Sequence, residues 1–548
     1  MPSPDDLHQY IQKHAALIRY ITLITSIISA VVAFFYALFA SFPFLYAFAF
    51  GAFIWAVAFF GVKFLIYYQI DSMLKIRRSY LEGRRLSGSI DKSDPAASIH
   101  GSATYASYER LLAAGHIEPD PIKGQLLPMF GEFVQPGRRK VIPVEFPMLC
   151  YAGQGHILTI APSRSGKGAT QIIPNLLLWP GPALVTDIKG ENYDITQRKR
   201  RKFGPVYALA PFRDTTNHLN PLDELDHTSP AGWEVAALMA EMLITSTGSS
   251  DSIFWEHEAR SLVAAVIMYV ACEETGERRT LGQVREYLTL SGDTWEEFVL
   301  GMAAHEKPQI RRTASAWMQK SESVQGGIHA TINSQMGIWD SDGVINLTSR
   351  SDFRFGDLKS IGQGTVYLII PPDQIDRMRP FVRLLVALAL RAMTLIRNRD
   401  EQLPVTFFLD EFTAMGRMPP ISQGLLYAAG YSVRLWMFAQ DFNSLENVYG
   451  KNAVESFIAN SGARLFFGIN SFDTAKMISE MAGRMTVLDG NLEKPGVIGR
   501  SLITPDEVMK MPKDIGLVFI EGHPPAAVQL WPYYKIPTFD GVYDKWRN

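Results

Sequence analysis

The stretch Thr159–Asn175, TIAPSRSGKGATQIIPN, restricts the possible folds of this chain more than any other feature. An apolar, strand-like run, Ile157–Ile160, leads into a loop that contains Gly166 and Lys167, and a helical pattern follows. This is the strand–loop–helix arrangement of a phosphate-binding loop, whose pattern is G-x-x-x-x-G-K-[ST]. In such loops, backbone N–H groups and the lysine ammonium bind phosphates. The stretch therefore predicts a nucleotide site in a parallel α/β fold.

The loop departs from the usual pattern at both ends. Ala161 stands where the first glycine is expected, which costs only backbone flexibility. Gly168 replaces the hydroxyl residue that ligates magnesium, and Thr170 comes two positions later. Water is the alternative ligand, because Mg²⁺ in proteins keeps several waters. The predicted cofactor-binding residues are Ala161, Pro162, Ser163, Arg164, Ser165, Gly166, Lys167, Gly168 and Ala169.

A second element, VTFFLDEF, places Asp410 and Glu411 directly after an apolar strand. In phosphoryl-transfer enzymes, an acid at such a strand end holds magnesium. A following glutamate is suited to accept a proton from water as a general base. The alternative for each acid is a solvated strand end. Together with Lys167, the pair predicts an ATP–Mg²⁺ site with Asp410 as the metal ligand.

Other polar residues follow neighbouring strands. Gln440 ends the strand of VRLWMFAQD and is predicted either to sense the terminal phosphate or to be an ordinary strand-terminal polar residue. Asp187 and Glu191 flank Lys189 at another strand end. Because ligands bind beyond the carboxyl ends of parallel strands, these residues are expected to line the same crevice.

The alternation of strand and helix signals predicts an α/β fold, with one interruption. We expect residues 126–214 and 346–548 to form the nucleotide-binding domain. Between them, residues 215–345 show mostly helical spacing and few strand signals, which predicts an inserted all-α domain.

The N-terminal sequence is typical of a membrane-spanning segment. No residue from Tyr20 to Val62 carries a formal charge, and one crossing takes about 20 helical residues. We expect a transmembrane hairpin in residues 1–70, with helices at about 18–40 and 44–67, followed by a cytoplasmic linker or stalk at 71–125. Lys and Arg flank both ends of the hairpin, which places both flanks in the cytoplasm. A buried hairpin in a soluble core is the alternative.

Bulk charge does not indicate nucleic-acid binding, because the net charge is −2 and the pI is about 6.6. The strongest local basic cluster is RKRRK, Arg198–Lys202. It is interpreted either as a contact for DNA phosphates or, more ordinarily, as a solvated helix C-terminus. The two cysteines, Cys150 and Cys272, lie outside any CxxC or CxxH pattern, so neither zinc nor a disulfide framework is expected.

Seven motifs in order, APSRSGKG, TDIKGENY, LNPLDE, FWEHEAR, FFLDEF, AQD and ISEMAGRMTV, resemble the type IV secretion coupling proteins of the TraG/TraD class, the conjugative DNA-transfer ATPases. The resemblance covers essentially the whole chain. It implies a RecA-like P-loop ATPase domain that carries an all-α domain behind a membrane hairpin. It also implies a homo-hexamer in the bacterial inner membrane, with the bulk of each chain cytoplasmic.

By the same resemblance, Lys167 binds phosphates, Asp410 binds magnesium and Glu411 activates water. The implied partners are inner-membrane components of a type IV secretion system and, as cargo, a relaxase–single-stranded DNA complex, protein effectors or both. Two other functions stay open: a DNA-pumping motor of the FtsK/HerA kind, and a nucleotide-gated docking receptor that does not need hydrolysis.

Ring ATPases often place an arginine of one subunit in the site of the next. Arg434, Arg464 and Arg484 are the candidates, each with a structural salt bridge as the alternative. Arg164, inside the loop, is a candidate for contact with nucleotide or with a neighbouring subunit.

Overall fold

The computed structural model describes residues 99–118, 128–134, 147–245, 252–396, 402–488 and 497–546. The predicted membrane hairpin in residues 1–70 lies outside these ranges. In the part of the chain that is described, no helix is both long and apolar enough to span a bilayer.

Within these described ranges, the strands form one sheet of twelve strands and one sheet of two. The strands are β1 (Ile117–Glu118), β2 (Met129–Val134), β3 (Met148–Cys150), β4 (His156–Ile160), β5 (Ala183–Asp187), β6 (Val206–Leu209), β7 (Thr365–Ile369), β8 (Val405–Leu409), β9 (Val433–Ala439), β10 (Ser461–Phe467), β11 (Arg484–Leu488), β12 (Val497–Ser501), β13 (Ile515–Ile520) and β14 (Ala526–Gln529).

Seven strands of the large sheet run parallel, in the order β10-β4-β9-β8-β5-β7-β6. The sheet continues beyond β10 through the antiparallel strands β13, β14, β2, β3 and β1. Every residue of β4, β5, β7, β8 and β9 is buried, which explains their unbroken apolar character. The carboxyl ends of the parallel strands therefore meet at one edge, where the predicted site residues lie.

The helices are α1 (Tyr108–Ala113), α2 (Ile173–Leu178), α3 (Glu191–Arg200), α4 (Gly232–Leu243), α5 (Ile253–Glu273), α6 (Leu281–Leu288), α7 (Gly292–Ala303), α8 (Pro308–Met318), α9 (Glu322–Met336), α10 (Asp342–Leu347), α11 (Phe355–Ile361), α12 (Ile375–Leu395), α13 (Pro419–Tyr427), α14 (Phe442–Tyr449), α15 (Lys451–Ala459), α16 (Phe472–Ala482) and α17 (Pro505–Met509).

Between β6 and β7, every element that the structure describes is helical. Helix α5 is central, since it packs against α4, α6, α8 and α9. The chain adds α11 before it returns to the sheet at Thr365, so the helical stretch extends beyond residue 345. At the other end, α1 and β1 precede residue 126, and β1 joins the large sheet. The division into domains stays a prediction.

The basic run Arg198–Lys202 ends α3, and its side chains have different roles. Arg200 is fully buried and donates to the carbonyls of Trp179 and Gly181 and to Oγ1 of Thr365. A solvated helix end is therefore the wrong interpretation for Arg200, because its buried guanidinium donates hydrogen bonds to three acceptor oxygens. Arg198, Arg201 and Lys202 of the run are exposed, and Lys199 is partly buried.

Arg198 in the same run ties the C-terminal segment to α3. Its Nε lies 2.7 Å from Oδ1 of Asp544, and its Nη2 donates to the carbonyls of Gly541 and Tyr543, both at 3.0 Å. In the same C-terminal segment, Phe539 is buried in a small core with Ile173 and Ile195.

We predict that Arg200→Ala lowers the free energy of unfolding by about 3 kcal/mol, because it leaves buried acceptors without donors. Urea unfolding of the full-length protein measures the change. Arg201→Ala, one residue away and exposed, is the matched control and should shift stability by no more than about 0.5 kcal/mol. Equal effects of the two substitutions would contradict this role of Arg200.

Candidate active site

The phosphate loop joins β4 to a wide helical turn, Gly168–Ile172, that continues into α2. Two of its residues have left-handed backbones: Gly166 at φ 90° and Arg164 at φ 63°. The second is uncommon for a residue with a side chain. The N–H of Ser165 donates to the carbonyl of Pro162 at 3.2 Å, which folds the loop back on itself. Such strained backbone is typical of ligand-binding loops.

Four predicted site residues meet at the carboxyl edge of the sheet. Nζ of Lys167 lies 2.5 Å from Oε1 of Glu411 and 3.7 Å from Oδ1 of Asp410. Nε2 of Gln440 donates to Oε2 of Glu411 at 3.1 Å. These residues follow β4, β8 and β9, which are neighbours in the sheet although distant in sequence. The Lys167 side chain is only 10% exposed, so this charge contact is largely shielded from water.

The backbone at the end of β8 sets the orientation of the Asp410 and Glu411 side chains. Glu411 has a left-handed φ of 48° and begins the turn Phe412–Met415. Its N–H donates to Oδ1 of Asp410 at 3.0 Å, and Oγ1 of Thr186 donates to the Asp410 carbonyl, also at 3.0 Å. Burial raises the pKa of Asp410 to about 6, while the Lys167 ammonium opposes that shift. The site therefore holds a carboxylate that gains stability from a nearby cation.

Asp187, at the end of β5, is a second buried acid beside this group. It accepts hydrogen bonds from the N–H of Tyr193 at 2.8 Å and from Nδ2 of Asn192 at 3.4 Å. Burial raises its pKa to about 7, and the nearby charge of Asp410 adds to the shift. Burial also raises the pKa of Glu191, while Lys189 opposes that shift. Among the described residues, Asp187, Glu191 and Lys189 take no part in the hydrogen bonds that join Lys167, Glu411 and Gln440.

The loop fits a magnesium-bound polyphosphate. Open space surrounds Gly168, since a Cβ built there meets nothing within 4 Å apart from its own helix. Oγ1 of Thr170 donates to the Gly166 carbonyl at 3.0 Å, which directs that hydroxyl back into its own helix. Oγ of Ser165 is buried and has no hydrogen-bond partner in the described part of the chain. The sequence pattern did not single out this hydroxyl, because Ser165 lies three positions before the usual one.

Metal ligands are few. No group of three or more His, Cys, Asp or Glu side chains suited to a metal occurs within the described ranges. Mg²⁺ does not need one, because it is commonly held by one or two carboxylates together with phosphates and waters. Asp410 stays the predicted residue for that role, and Ser165 offers a buried hydroxyl that has no hydrogen-bond partner among the described residues.

The arginine candidates separate clearly. Arg434 on β9 is 3% exposed, donates to the Gly153 carbonyl at 2.7 Å and lies over the rings of Tyr151 and Trp179. Burial lowers its pKa to about 10. A guanidinium enclosed by its own chain in this way has a structural role. The described residues give Arg434 a carbonyl and two aromatic rings as contacts rather than the salt bridge expected as the alternative.

The other arginine candidates are more accessible. Burial lowers the pKa of Arg464, a half-buried residue on β10, and the nearby charge of Glu521 opposes that shift. Arg484 is exposed at the start of β11, and Arg164 is exposed in the phosphate loop. Their roles at a neighbouring subunit stay predictions.

We predict that Asp187→Asn flattens the pH dependence of stability. Folding raises the pKa of Asp187 from 3.8 to about 7, so the folded protein binds more protons between these values. The free energy of unfolding therefore falls as pH rises through that window, by at most about 1.4 kcal/mol per pH unit for this group. Urea unfolding at several pH values measures the slope. Asp473→Asn, at an exposed position on α16, is the control, and an unchanged slope in Asp187→Asn would refute the effect.

Known proteins share both the sequence and the fold. The sequence model of the family described as "Type IV secretory system Conjugative DNA transfer" matches residues 131–546. The conjugal transfer protein TraG of Escherichia coli is 26% identical over 496 residues, which cover 80% of this chain and 78% of TraG. Protein VirD4 of Agrobacterium fabrum is 27% identical over 458 residues, covering 80% of this chain and 66% of VirD4.

Solved structures agree on the fold. The conjugative coupling protein TrwB, in a form called TrwBdeltaN70, superposes with a TM-score of 0.58 at 14% identity, covering 80% of this chain and 96% of that one. TrwB in complex with a GTP analogue also has a TM-score of 0.58, at 16% identity, covering 75% of this chain and 96% of that one. On the family match, this chain belongs to the type IV secretory system conjugative DNA transfer family, the coupling-protein family that its motifs resemble.

Proposed function

We propose that this protein is the ATPase coupling protein of a type IV secretion system, which uses ATP hydrolysis to deliver cargo to the secretion channel. The observation that carries the proposal is the contact of Lys167 with Glu411 at 2.5 Å and with Asp410 at 3.7 Å, at the carboxyl ends of two parallel strands, β4 and β8, that are separated by β9. A phosphate-loop lysine beside a metal-binding acid and a general base is the arrangement needed for phosphoryl transfer to water.

Each residue has a role in hydrolysis that its position supports. Mg²⁺, when bound, neutralises phosphate charge, and Asp410 is placed to hold it. Lys167 binds the phosphates, for which it must exchange its contact with Glu411. Glu411 is then free to accept a proton from water, while Gln440 holds the other carboxylate oxygen. When phosphate binds Lys167, the Glu411 carboxylate therefore loses its contact with the lysine and becomes available as the base.

Relatives support the choice of nucleotide. TrwB has been solved with an ATP analogue, with a GTP analogue, and with ADP and Mg²⁺. For this chain we propose ATP with Mg²⁺, bound by the loop residues 161–169. The names of the relatives, conjugal transfer protein and type IV secretion system-coupling protein, support cargo delivery as the purpose of the hydrolysis.

We further propose the setting in which the ATPase works. Helices at about 18–40 and 44–67 anchor the chain in the bacterial inner membrane as a multi-pass protein with its bulk in the cytoplasm. Six copies form a ring that docks on inner-membrane components of the secretion system. The all-α domain, residues 215–345, helps to recognise a relaxase–single-stranded DNA complex, protein effectors or both. The uncharged run and its basic flanks support the anchor.

Two alternatives make different predictions. A DNA-pumping motor acts on duplex DNA rather than on a single strand. A nucleotide-gated receptor needs binding but not hydrolysis. Immunoprecipitation of crosslinked cargo from cells with an active transport machinery separates the first from our proposal, because only a coupling protein should recover a relaxase with its strand or an effector.

We predict that Lys167→Ala abolishes ATP turnover and cargo transfer while the protein stays in the membrane. The lysine supplies the positive charge for the phosphates, and no other Lys or Arg in the described ranges forms an ion pair with Asp410 or Glu411. Turnover by the purified protein and membrane fractionation are the measurements. Lys202→Ala, at an exposed position after α3, is the control. Unchanged turnover in Lys167→Ala would rule out this site.

We predict that Glu411→Gln binds ATP but lowers turnover by about 100-fold or more, because an amide is not a general base. Nucleotide binding, turnover and cargo transfer are measured on the same variant. Transfer should fall together with turnover. If the variant binds ATP, does not hydrolyse it and still supports transfer, the receptor alternative is correct.

A further inference from the structure

Arginines gather around the turn that follows Glu411. They come from three places in the sequence, α5, α12 and the loop after the turn Phe412–Met415, and we call them the arginine cluster: Arg260, Arg379, Arg383 and Arg417. A Cβ built on Gly416 would lie 3.8 Å from Nη1 of Arg383 and 4.0 Å from Cδ of Arg379. Nε of Arg379 donates to the Ala414 carbonyl at 2.9 Å. Arg379 and Arg383 thus lie beside the segment that follows Glu411, and Arg260 lies near Arg383.

These arginines lie close enough to affect one another. Burial lowers the pKa of Arg383 to about 10, and the positive charges of Arg379 and Arg260 lower it further. Burial raises the pKa of Tyr449, while Arg383 and Arg417 oppose that shift. Like charges at this range repel each other, so the cluster is unfavourable unless an anion joins it.

Few acids balance the cluster. Within the described ranges, its one ion pair joins Nη2 of Arg379 to Oδ1 of Asp376 at 2.6 Å, and the Asp376 side chain is 80% exposed. Arg383 is 4% exposed, and among the described residues it donates only to neutral acceptors, the Met242 carbonyl at 3.1 Å and Oγ1 of Thr245 at 3.4 Å. Its Nε has no partner in the part of the chain that is described. Arg200 and Arg434 are also buried without a carboxylate partner in the described ranges, but Arg383 differs because the positive charges of Arg379 and Arg260 lie near it. An anion bound beside Arg383 would reduce this repulsion.

The exposed members make the cluster accessible. Arg417 and Arg379 lie at the surface, and Arg383 lies behind them. Guanidinium groups bind phosphate oxygens with paired hydrogen bonds, and several separate guanidinium groups suit a chain of single negative charges. The rival basic run ending α3 is less suited, because Arg198 and Arg200 are already engaged by their own chain.

We propose that the arginine cluster binds the phosphodiester backbone of single-stranded DNA and couples that binding to ATP hydrolysis. This inference rests on the proposed function, in which a DNA strand is cargo. Arg379 holds the turn through the Ala414 carbonyl, and the same turn begins with Glu411, whose carboxylate contacts Lys167 and Gln440. A phosphate bound by Arg379 therefore acts on the backbone that aims the general base.

The test uses the full-length protein with the double substitution Arg379→Ala and Arg417→Ala, both at exposed positions. Fluorescence anisotropy with a labelled oligothymidylate measures affinity over a range of salt. We expect affinity to fall about tenfold, and the slope of log affinity against log salt to fall by about 1.4, or about 0.7 per phosphate contact. Arg201→Ala with Lys202→Ala removes the same charge from the end of α3 and should leave both values unchanged.

Turnover identifies the source of the phosphate. If the anion is DNA, the turnover of the double variant is the same with and without oligothymidylate, whereas oligothymidylate stimulates the turnover of the wild-type protein. Wild-type DNA affinity in the double variant would overturn the inference, and loss of basal turnover with that affinity intact would assign the cluster to a nucleotide on another copy of the chain. If the wild-type protein binds no oligothymidylate, DNA as cargo fails and the cluster proposal fails with it.

Discussion

The contact between Lys167 and Glu411 is the interaction on which the candidate site depends. It joins the phosphate loop after β4 to the acidic end of β8 across the intervening strand β9, whose own end supplies Gln440. Because parallel strands align their carboxyl ends, one sheet gathers groups that lie more than 200 residues apart in sequence. The helical stretch between β6 and β7 lengthens the chain without disturbing this edge.

Burial strengthens the contact between Lys167 and Glu411, and it also makes the charged carboxylates nearby less favourable. The pKa of Asp410 is raised to about 6 and that of Asp187 to about 7, both chiefly by loss of water. Buried carboxylates next to one another are unfavourable, and a cation relieves the repulsion. Lys167 already supplies part of this compensation, and bound magnesium would supply the rest. The arginine cluster shows the opposite case beside the turn that follows Glu411, where positive charge exceeds negative charge among the described residues.

Much of the site could be predicted because its signals are local. Gly166 and Lys167 follow one apolar strand, and two acids follow another. Each of these short patterns predicts a strand end and a turn without information from the rest of the fold. The sequence did not predict that Arg200 is buried, because a basic run at a helix end looks solvated until the carbonyls of Trp179 and Gly181 are brought to it. Nor did it separate Arg434, enclosed between aromatic rings, from arginines that can reach a neighbour.

The sequence by itself determined the α/β class, the phosphate loop, the paired acids and membership of the coupling-protein family, since each depends on residues close together in the chain. Only the tertiary structure decided which side chains meet: Lys167 contacts Glu411 rather than Asp187, and Arg379 and Arg383 lie beside Gly416. It also leaves the Ser165 hydroxyl without a hydrogen-bond partner among the described residues. The reason is physical. Strand order and helix packing set distances between remote residues, and charge interactions depend on those distances and on the exclusion of water.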